Sequence, residues 1–267
     1  MKLETITRWL DKTLNVAAFD DVSNNGLQVD RLSASEIRQS ADQQISNLKS
    51  QIRTIEDSNN RTISTVAFAV DASVCAVEAA AQAGAQLLVV HHGISWGGGV
   101  KRVTGGVGRV IRAAIANNLA LYACHLPLDA HPTLGNNAQL AQLLGLKRVK
   151  PAFNYHGNVI GLTGVLAKLE ALEVLASREQ LAKLEGLAAP LTLGLCSGGA
   201  GEFAEEAKNL GCDLYLTGEA SWGDVIAAEN CGMKMLCLGH YETEVWGVRA
   251  VAKAMKKALK VRTVDLT

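Results

Sequence analysis

The sequence predicts an α/β protein made of a duplicated unit, with mixed, mainly parallel sheets covered by helices. Strand and helix patterns alternate from residue 65 to residue 258, and such alternation is typical of parallel sheets covered by helices. The two halves also resemble each other, because A-A-Q-A-G-A-Q-L-L-V-V-H-H-G in the first is similar to A-K-N-L-G-C-D-L-Y-L-T-G-E in the second. Aligning Gly84 with Gly211 places His92 against Glu219.

The chain is therefore expected to form a first α/β half over residues 1–130 and a second over 131–267. The last helix of the second half is expected to pack back on the first. Residues 31–60 are polar and rich in Ser, Gln and Asn, with isoleucines at helical spacing. They predict a helical insertion within the first half.

Each helix and strand is predicted from the spacing of its apolar residues. Ile6, Leu10 and Leu14 lie four residues apart and predict an amphipathic first helix, and a short extended run follows the turn at residues 23–26. Apolar runs predict strands at 65–70, 86–90, 119–124, 159–166, 191–196, 213–217 and 233–238. Helical periodicity predicts helices at 74–82, 105–117, 135–144, 202–210, 221–230 and 242–258. Residues 151–157 are expected to form a loop.

Composition and the distribution of charged, apolar and cysteine residues exclude several classes of protein. Lysine plus arginine equals aspartate plus glutamate, at 26 each, so a dedicated nucleic-acid binder is not expected. The sequence has no signal peptide and no run of about 18 apolar residues, which predicts a cytoplasmic protein without a membrane span. The six cysteines form no C-x-x-C pair and are expected to be reduced core thiols.

Histidines follow three of the predicted strands. His91 and His92 end the run L-L-V-V-H-H-G, and ligands bind beyond the carboxyl ends of parallel strands. Gly93 is expected to free the turn that follows. One of the two imidazoles could instead be a hydrogen-bonded structural histidine.

The second strand end carries His240, with Glu244 one helical turn later on the same face. A helix-terminal His–Glu hydrogen bond is the alternative interpretation. His125 and Asp129 repeat the same spacing, on a segment that Pro127 is expected to keep as a loop. An unpaired Asp129 beside two apolar neighbours would be costly, and a bridging carboxylate between two cations would remove that cost.

Together these residues suit two metal ions. His91, His92, Asp129, His240 and Glu244, with His125 nearby, offer more ligands than one four-coordinate structural zinc needs. Nitrogen and oxygen ligands without thiolate suit Zn, Fe, Mn, Ni or Co. The prediction is two divalent metal ions per chain, of a kind that the sequence does not specify.

Five segments, S-N-N-G-L-Q-V, V-V-H-H-G-I-S-W-G-G, H-L-P-L-D-A-H-P-x-L-G-N-N-A-Q-L-A-Q-L-L-G-L, L-T-G-E-A-S and G-H-Y-E-T-E, cover nearly the whole chain. They resemble the dinuclear-metal family called GTP cyclohydrolase 1 type 2, or NIF-three-like. The resemblance implies the metal ligands His91, His92, Asp129, His240 and Glu244, with His125 behind them or as an occasional ligand and Glu219 as a polar group near the metals. In a hydrolase, His125 and Glu219 are the candidates for moving protons. It also implies a duplicated α/β unit and a ring-shaped homohexamer. Many relatives have proline at the position of Gly93, so this chain is expected to have a more mobile loop there.

Three functions follow as hypotheses. The first is a metal-dependent hydrolase of a nucleotide or related heterocycle, for which the family name implies opening of the guanine imidazole ring of GTP with release of formate. The second is a non-enzymatic metal carrier or cofactor-assembly protein. The third is a regulatory protein that binds partners while the metals stabilise it.

Overall fold

The computed structural model describes residues 1–32 and 62–267. The predicted helical insertion over 31–60 therefore lies outside the described residues, apart from its first two positions. Contacts divide the chain into two units. Unit 1 comprises Met1–Ala17, Asp21–His125 and Ala252–Thr267, and unit 2 comprises Ala18–Asp20 and Leu126–Val251. The boundary predicted from the sequence lies at residue 130.

Unit 1 is an α/β unit around a five-stranded sheet. Its strands lie in the order β1-β4-β3-β2-β10, with β1 antiparallel to β4 and the other neighbours parallel. In chain order its elements are α1 (Leu3–Leu14), β1 (Gly26–Val29), β2 (Thr65–Asp71), α2 (Val74–Gln82), β3 (Leu87–His92), α3 (Gly105–Ala116), β4 (Ala120–Ala123) and β10 (Arg262–Asp265). A 3₁₀ turn, Val16–Ala18, follows α1.

The sheet of unit 1 is covered on both faces. Alternate strand residues such as Leu88 and Leu121 pack with Val77 of α2 and Val110 of α3. On the opposite face the hydroxyl of buried Tyr122 donates a hydrogen bond of 2.7 Å to Asp11 of α1. Because both faces are covered, β2 is apolar over residues 66–70 and β3 over residues 87–90, as buried parallel strands are.

Unit 2 also contains a five-stranded sheet, in the order β5-β6-β7-β8-β9. The pairs β5–β6 and β6–β7 are antiparallel, and the pairs β7–β8 and β8–β9 are parallel. Its elements are α4 (Leu126–Asp129), α5 (Asn136–Leu143), β5 (Lys147–Tyr155), β6 (Asn158–Leu166), a 3₁₀ helix (Leu169–Val174), α6 (Arg178–Ala182), β7 (Leu191–Cys196), a 3₁₀ turn (Gly201–Phe203), α7 (Ala204–Asn209), β8 (Leu214–Thr217), α8 (Trp222–Cys231) and β9 (Lys234–Cys237). The last helix, α9 (His240–Leu259), begins in this unit.

Alternation along the strands of unit 2 separates two cores. Leu193, Leu195 and Leu216 pack on one face with Leu140 of α5. Cys196 and Tyr215 belong to the other core, with residues of α7 and α8. The central strands β7 and β8 therefore bury both of their faces.

Two local predictions were wrong, and proline explains both. The expected loop at 151–157 is mostly strand, because Pro151 lies on β5 at the edge of the sheet, where a missing backbone N–H is tolerated. The segment expected to be a loop at Pro127 forms the one-turn helix α4. Proline in a first helical turn loses no intrahelical hydrogen bond.

The predicted fold class is confirmed. Both units combine α-helices with a mixed five-stranded sheet, and the sheet of unit 1 is mainly parallel. The predicted strand at 191–196 and helix at 74–82 have the observed bounds. In the described parts of the chain, every helix is too short or too polar to cross a lipid bilayer.

Candidate metal centre

Three histidines meet at the carboxyl ends of two neighbouring strands of unit 1. His91 and His92 end β3, and His125 follows β4. The ring centroid of His91 lies 4.6 Å from that of His92 and 5.1 Å from that of His125. One ring nitrogen of each lies within 4.8 Å of the others, which is close enough for shared ligation of a metal ion.

Each of these histidines is oriented through its Nδ1 atom. His91 Nδ1 lies 2.9 Å from the carbonyl oxygen of Cys124, and His92 Nδ1 lies 2.9 Å from Oδ1 of Asp71. His125 Nδ1 lies 2.9 Å from Oδ1 of Asp21. Because carbonyl and carboxylate oxygens only accept, each Nδ1–H must donate, and Nε2 carries the lone pair of the neutral ring. This arrangement is usual for metal-binding histidines.

Of the two carboxylate acceptors Asp21 is the buried one, with a side chain that is 2% exposed, whereas that of Asp71 is 54% exposed. Its carboxylate also accepts from the Ser23 backbone N–H at 2.9 Å and from Asn25 Nδ2 at 2.8 Å. Burial acts to raise the pKa of Asp21, but the hydrogen bonds and charge of His125, together with Ser23 and Asn25, keep this pKa below its ordinary value. Asn25 Oδ1 in turn accepts from the backbone N–H of His125. The S-N-N-G segment thus positions His125.

Gly93 is required because its neighbours leave no space for a side chain, and not because the turn needs a left-handed backbone conformation. Its φ lies outside the left-handed region, whereas a Cβ atom there would lie 2.2 Å from Gln28 Oε1 and 2.6 Å from the Ala123 side chain. Gln28 Oε1 accepts from the Ile94 N–H at 2.7 Å. The prediction that Gly93 frees the turn was therefore wrong, because the residue is needed for the approach of Gln28.

In unit 2, Asp129 and Glu244 are two buried carboxylates. They are 6% and 3% exposed, and one oxygen of each lies within 4.8 Å of the other. Asp129 Oδ1 accepts from Asn136 Nδ2 at 2.8 Å and from Ser197 Oγ at 3.0 Å. These hydrogen bonds fix the carboxylate of Asp129 at the end of α4.

His240 begins α9 beside Glu244. Its Nε2 lies 3.3 Å from Glu244 Oε1, and its Nδ1 donates to Glu219 Oε2 at 2.8 Å. His240 therefore has the same Nδ1 anchoring as the three histidines of unit 1. The hydrogen bond with Glu244 is the main cause that raises the pKa of His240 to about 9; burial opposes it, and Glu219 adds to it.

The glycine-rich turn after β7 packs on these two side chains. Gly198 has a φ of +70°, and a Cβ atom there would lie 2.3 Å from Glu244 Oε1. Its backbone N–H donates to Thr243 Oγ1 at 3.0 Å. The turn therefore packs directly against Glu244. Glycine is required at position 198 because φ is positive and because a side chain would collide with Glu244.

Not every histidine has this anchoring. His131 Nδ1 accepts hydrogen bonds from the backbone N–H groups of Thr133 and Leu134, at 3.2 and 3.0 Å. Its ring therefore caps a turn. Asp21, Asp71 and Asn136 were not predicted as site residues, although Asn136 lies in a segment that carries the family resemblance and Asp21 lies two positions before another.

The donor types fit a divalent metal ion. Imidazole nitrogen and carboxylate oxygen suit the borderline and harder divalent ions. Burial, followed by the charges of Asp129 and Glu244, raises the pKa of the Cys196 thiol well above its ordinary value, which disfavours a thiolate ligand. The described residues thus include histidine, aspartate and glutamate groups that could hold a metal ion.

Comparison with known proteins agrees with the resemblance in the sequence. The model of the family Duf34/NIF3 (NGG1p interacting factor 3) matches residues 43–267. A Pyrococcus horikoshii protein named GTP cyclohydrolase 1 type 2 homolog is 35% identical, over 99% of this chain and 97% of its own. A Deinococcus radiodurans protein of the same name is 37% identical, over 93% and 86%. The solved structure of protein ybgI, of unknown function, matches with a TM-score of 0.78 and 27% identity, over 100% and 98%. The chain belongs to the Duf34/NIF3 family.

Proposed function

We propose that this protein is a dinuclear metal-dependent hydrolase that acts on a nucleotide or a related heterocycle. The ligands that we assign to its two divalent metal ions are His91, His92, Asp129, His240 and Glu244. The observation that carries the proposal is the common orientation of the histidines: His91, His92, His125 and His240 all have Nδ1 bonded to an oxygen acceptor. This arrangement is the usual one for metal-binding histidines, because it leaves Nε2 for the metal ion.

Buried carboxylates support the same assignment. Asp129 and Glu244 lie within 4.8 Å of each other in the interior of unit 2. Two negative charges this close repel each other strongly in a medium of low dielectric constant. Bound divalent cations would turn that repulsion into attraction, because each carboxylate would then face positive charge.

Divalent metal ions with such ligands supply Lewis acidity for hydrolysis. The protein supplies the orientation of the ligands and the movement of protons. Glu219, whose side chain is 66% exposed, accepts the Nδ1 proton of His240 and holds that ring in one tautomer. We assign proton transfer to Glu219 and His125. Glu219 is hydrogen-bonded to His240, and His125 is hydrogen-bonded to Asp21.

The names of the relatives make GTP the first substrate to test. Metal-loaded protein is expected to release formate from GTP, and a His92→Asn variant is expected to lose this activity. Turnover of other purine nucleotides should be measured in parallel. If metal leaves readily to a mild chelator while every substrate remains intact, the result would favour a metal carrier over a hydrolase.

We also propose that the chain assembles as a homohexamer, as the family resemblance implies. Light scattering on purified protein is expected to give a mass near six chains of 28.3 kDa. A stable monomer would contradict the hexamer and leave the metal ligands unaffected.

A further inference from the structure

Trp96 lies beside two candidate metal ligands of unit 1. The centroid of its indole ring is 5.2 Å from that of His125 and 6.0 Å from that of His92. The interplanar angles are 74° and 42°, so neither imidazole stacks flat on the indole. The residue is 39% exposed, which leaves part of a large aromatic surface open to solvent next to the histidines.

The loop that carries Trp96 is held by the segment after α1. The backbone N–H of Asn24 donates to the Ser95 carbonyl at 3.0 Å, and Asn24 Nδ2 donates to Ser95 Oγ at 2.8 Å. The Gly97 N–H donates to the Val22 carbonyl at 2.6 Å. These bonds on both sides of Trp96 fix its backbone, although three glycines follow it.

The indole is itself oriented. Trp96 Nε1 donates to the carbonyl oxygen of Gly93 at 2.9 Å. This bond satisfies the one polar atom of the side chain and fixes the plane of the ring. An aromatic ring with a fixed plane and a satisfied donor loses little conformational entropy when a flat ligand stacks on it.

We infer that Trp96 is a specificity-determining residue that stacks on the planar heteroaromatic ring of the substrate, such as a purine base. The inference rests on the proposed function and deepens it. A ring that reacts at the metal ions must come close to the imidazoles of His92 and His125, and the indole borders both. Stacking on a tryptophan favours any flat π-system, whereas a sugar phosphate without a base gains nothing from it.

Binding of GMP and ribose 5-phosphate tests this inference, because ribose 5-phosphate has a hydroxyl group at C1 where GMP has the base. Equilibrium binding is measured on metal-loaded wild type, Trp96→Leu, Trp96→Phe and the control Trp9→Leu, with metal content determined for each. Trp9 is a half-buried tryptophan of α1 in the same unit. Circular dichroism establishes that each variant is folded.

Base stacking on an aromatic side chain contributes about 1–3 kcal/mol, so Trp96→Leu is expected to reduce the preference for GMP by about 5- to 150-fold. Trp96→Phe should keep most of the preference, because it retains an aromatic face. Metal content and affinity for ribose 5-phosphate should not change, and Trp9→Leu should behave as wild type.

Three results would overturn the inference. One is a GMP preference that survives in Trp96→Leu. Another is a parallel loss of metal, GMP and ribose 5-phosphate binding, which would mean that Trp96 only supports His125. The third is a wild type that binds both molecules equally. In each case metal content and hydrolysis in the wild type still decide the proposed function separately.

Discussion

Asp21 connects the chain after α1 to His125, which lies more than one hundred positions later. Its buried carboxylate accepts from His125 Nδ1, from Ser23 N–H and from Asn25 Nδ2. An aspartate with these three donors keeps one imidazole in one tautomer and one orientation. The residue is thus part of the candidate metal centre without being a ligand.

Replacing Asp21 with asparagine should weaken metal binding. Asparagine removes the charge and turns an NH₂ group toward one of the present donors, so His125 loses its fixed orientation. His125 belongs with His91 and His92 to a group that could hold a metal ion, and the prediction treats it as an additional ligand. Loss of such an orienting partner typically costs about 10- to 100-fold in metal affinity. Titration against a competing chelator measures this, with exposed Asp20→Asn as the control. Wild-type affinity in Asp21→Asn would show that His125 plays no part in metal binding.

A second prediction for a single residue concerns Gly198. Gly198→Ala should destabilise the protein by more than Gly211→Ala, because both have a positive φ but only Gly198 is packed against Glu244. The positive φ alone costs about 1–2 kcal/mol for alanine. Urea unfolding compares the two variants, and metal content should fall in Gly198→Ala alone. Equal losses of stability and unchanged metal content would mean that the contact with Glu244 is unimportant.

His240 predicts a pH dependence for protein treated with a chelator. Its pKa in the folded chain, about 9, lies above the ordinary value of about 6.5. Protonated His240 therefore stabilises the fold fully below pH 6.5, and this contribution is lost as the pH rises through 9. A metal ion competes with that proton, so metal affinity should rise over the same range.

NMR titration of the His240 ring measures this pKa directly. In Glu244→Gln the pKa should move down toward 6.5, because the hydrogen bond with the Glu244 carboxylate is the main cause of the shift. Lys208→Gln, on the surface of α7, should leave it unchanged. A wild-type value at or below 6.5 would contradict the described pairing of His240 with Glu244.

At the scale of elements, Asn137 joins the start of α5 to two strands of unit 2. It is 1% exposed; its Nδ2 donates to the Ile160 carbonyl of β6, and its Oδ1 accepts from the Ser197 N–H after β7, each at 2.8 Å. Ser197 Oγ in turn donates to Asp129. The amide therefore holds both the sheet and the carboxylate in place.

Asn137→Ala leaves two buried backbone groups without hydrogen bonds. We expect a loss of about 2–4 kcal/mol in the free energy of unfolding, because each such group costs about 1–3 kcal/mol. Urea unfolding measures the change, and exposed Gln142→Ala on the same helix should stay within about 0.5 kcal/mol. A similarly small effect in Asn137→Ala would mean that water replaces the amide.

Strands with continuous apolar runs could be predicted from the sequence, since burial on both faces of a parallel strand leaves a clear pattern. The predicted ends of β3 and β7 lie within two residues of the observed ends. β5 could not be predicted, because the effect of Pro151 depends on whether its strand lies at the edge of the sheet. β10, only four residues long, has too few positions for a pattern.

The candidate site shows the same limit. Its histidines were predictable because imidazoles are unusual at the end of an apolar strand. Their partners were not, because Asp21 and His125 are 104 positions apart and no local pattern joins them. Trp96 lay within a segment that carries the resemblance, but its place beside His125 depends on how strand ends meet in the fold.

At the scale of the whole molecule, membership in the Duf34/NIF3 family agrees with the predicted fold class. Both units carry histidine and carboxylate groups oriented by hydrogen bonds, although the two sheets differ in their pairing. The equal numbers of acidic and basic residues give no overall charge that would attract nucleic acid. Metal binding is the property on which the proposed function depends.

Metal content per chain decides whether the assigned residues hold two metal ions. Plasma mass spectrometry on protein purified without chelator should give about two divalent ions per chain in the wild type. The count should fall in folded His240→Asn and Asp129→Asn, while His156→Asn, at the exposed β5–β6 turn, should keep it. A wild type that contains no metal, and takes up no Zn, Fe or Mn on titration, would mean that these residues form a polar network and that the hydrolase proposal is wrong.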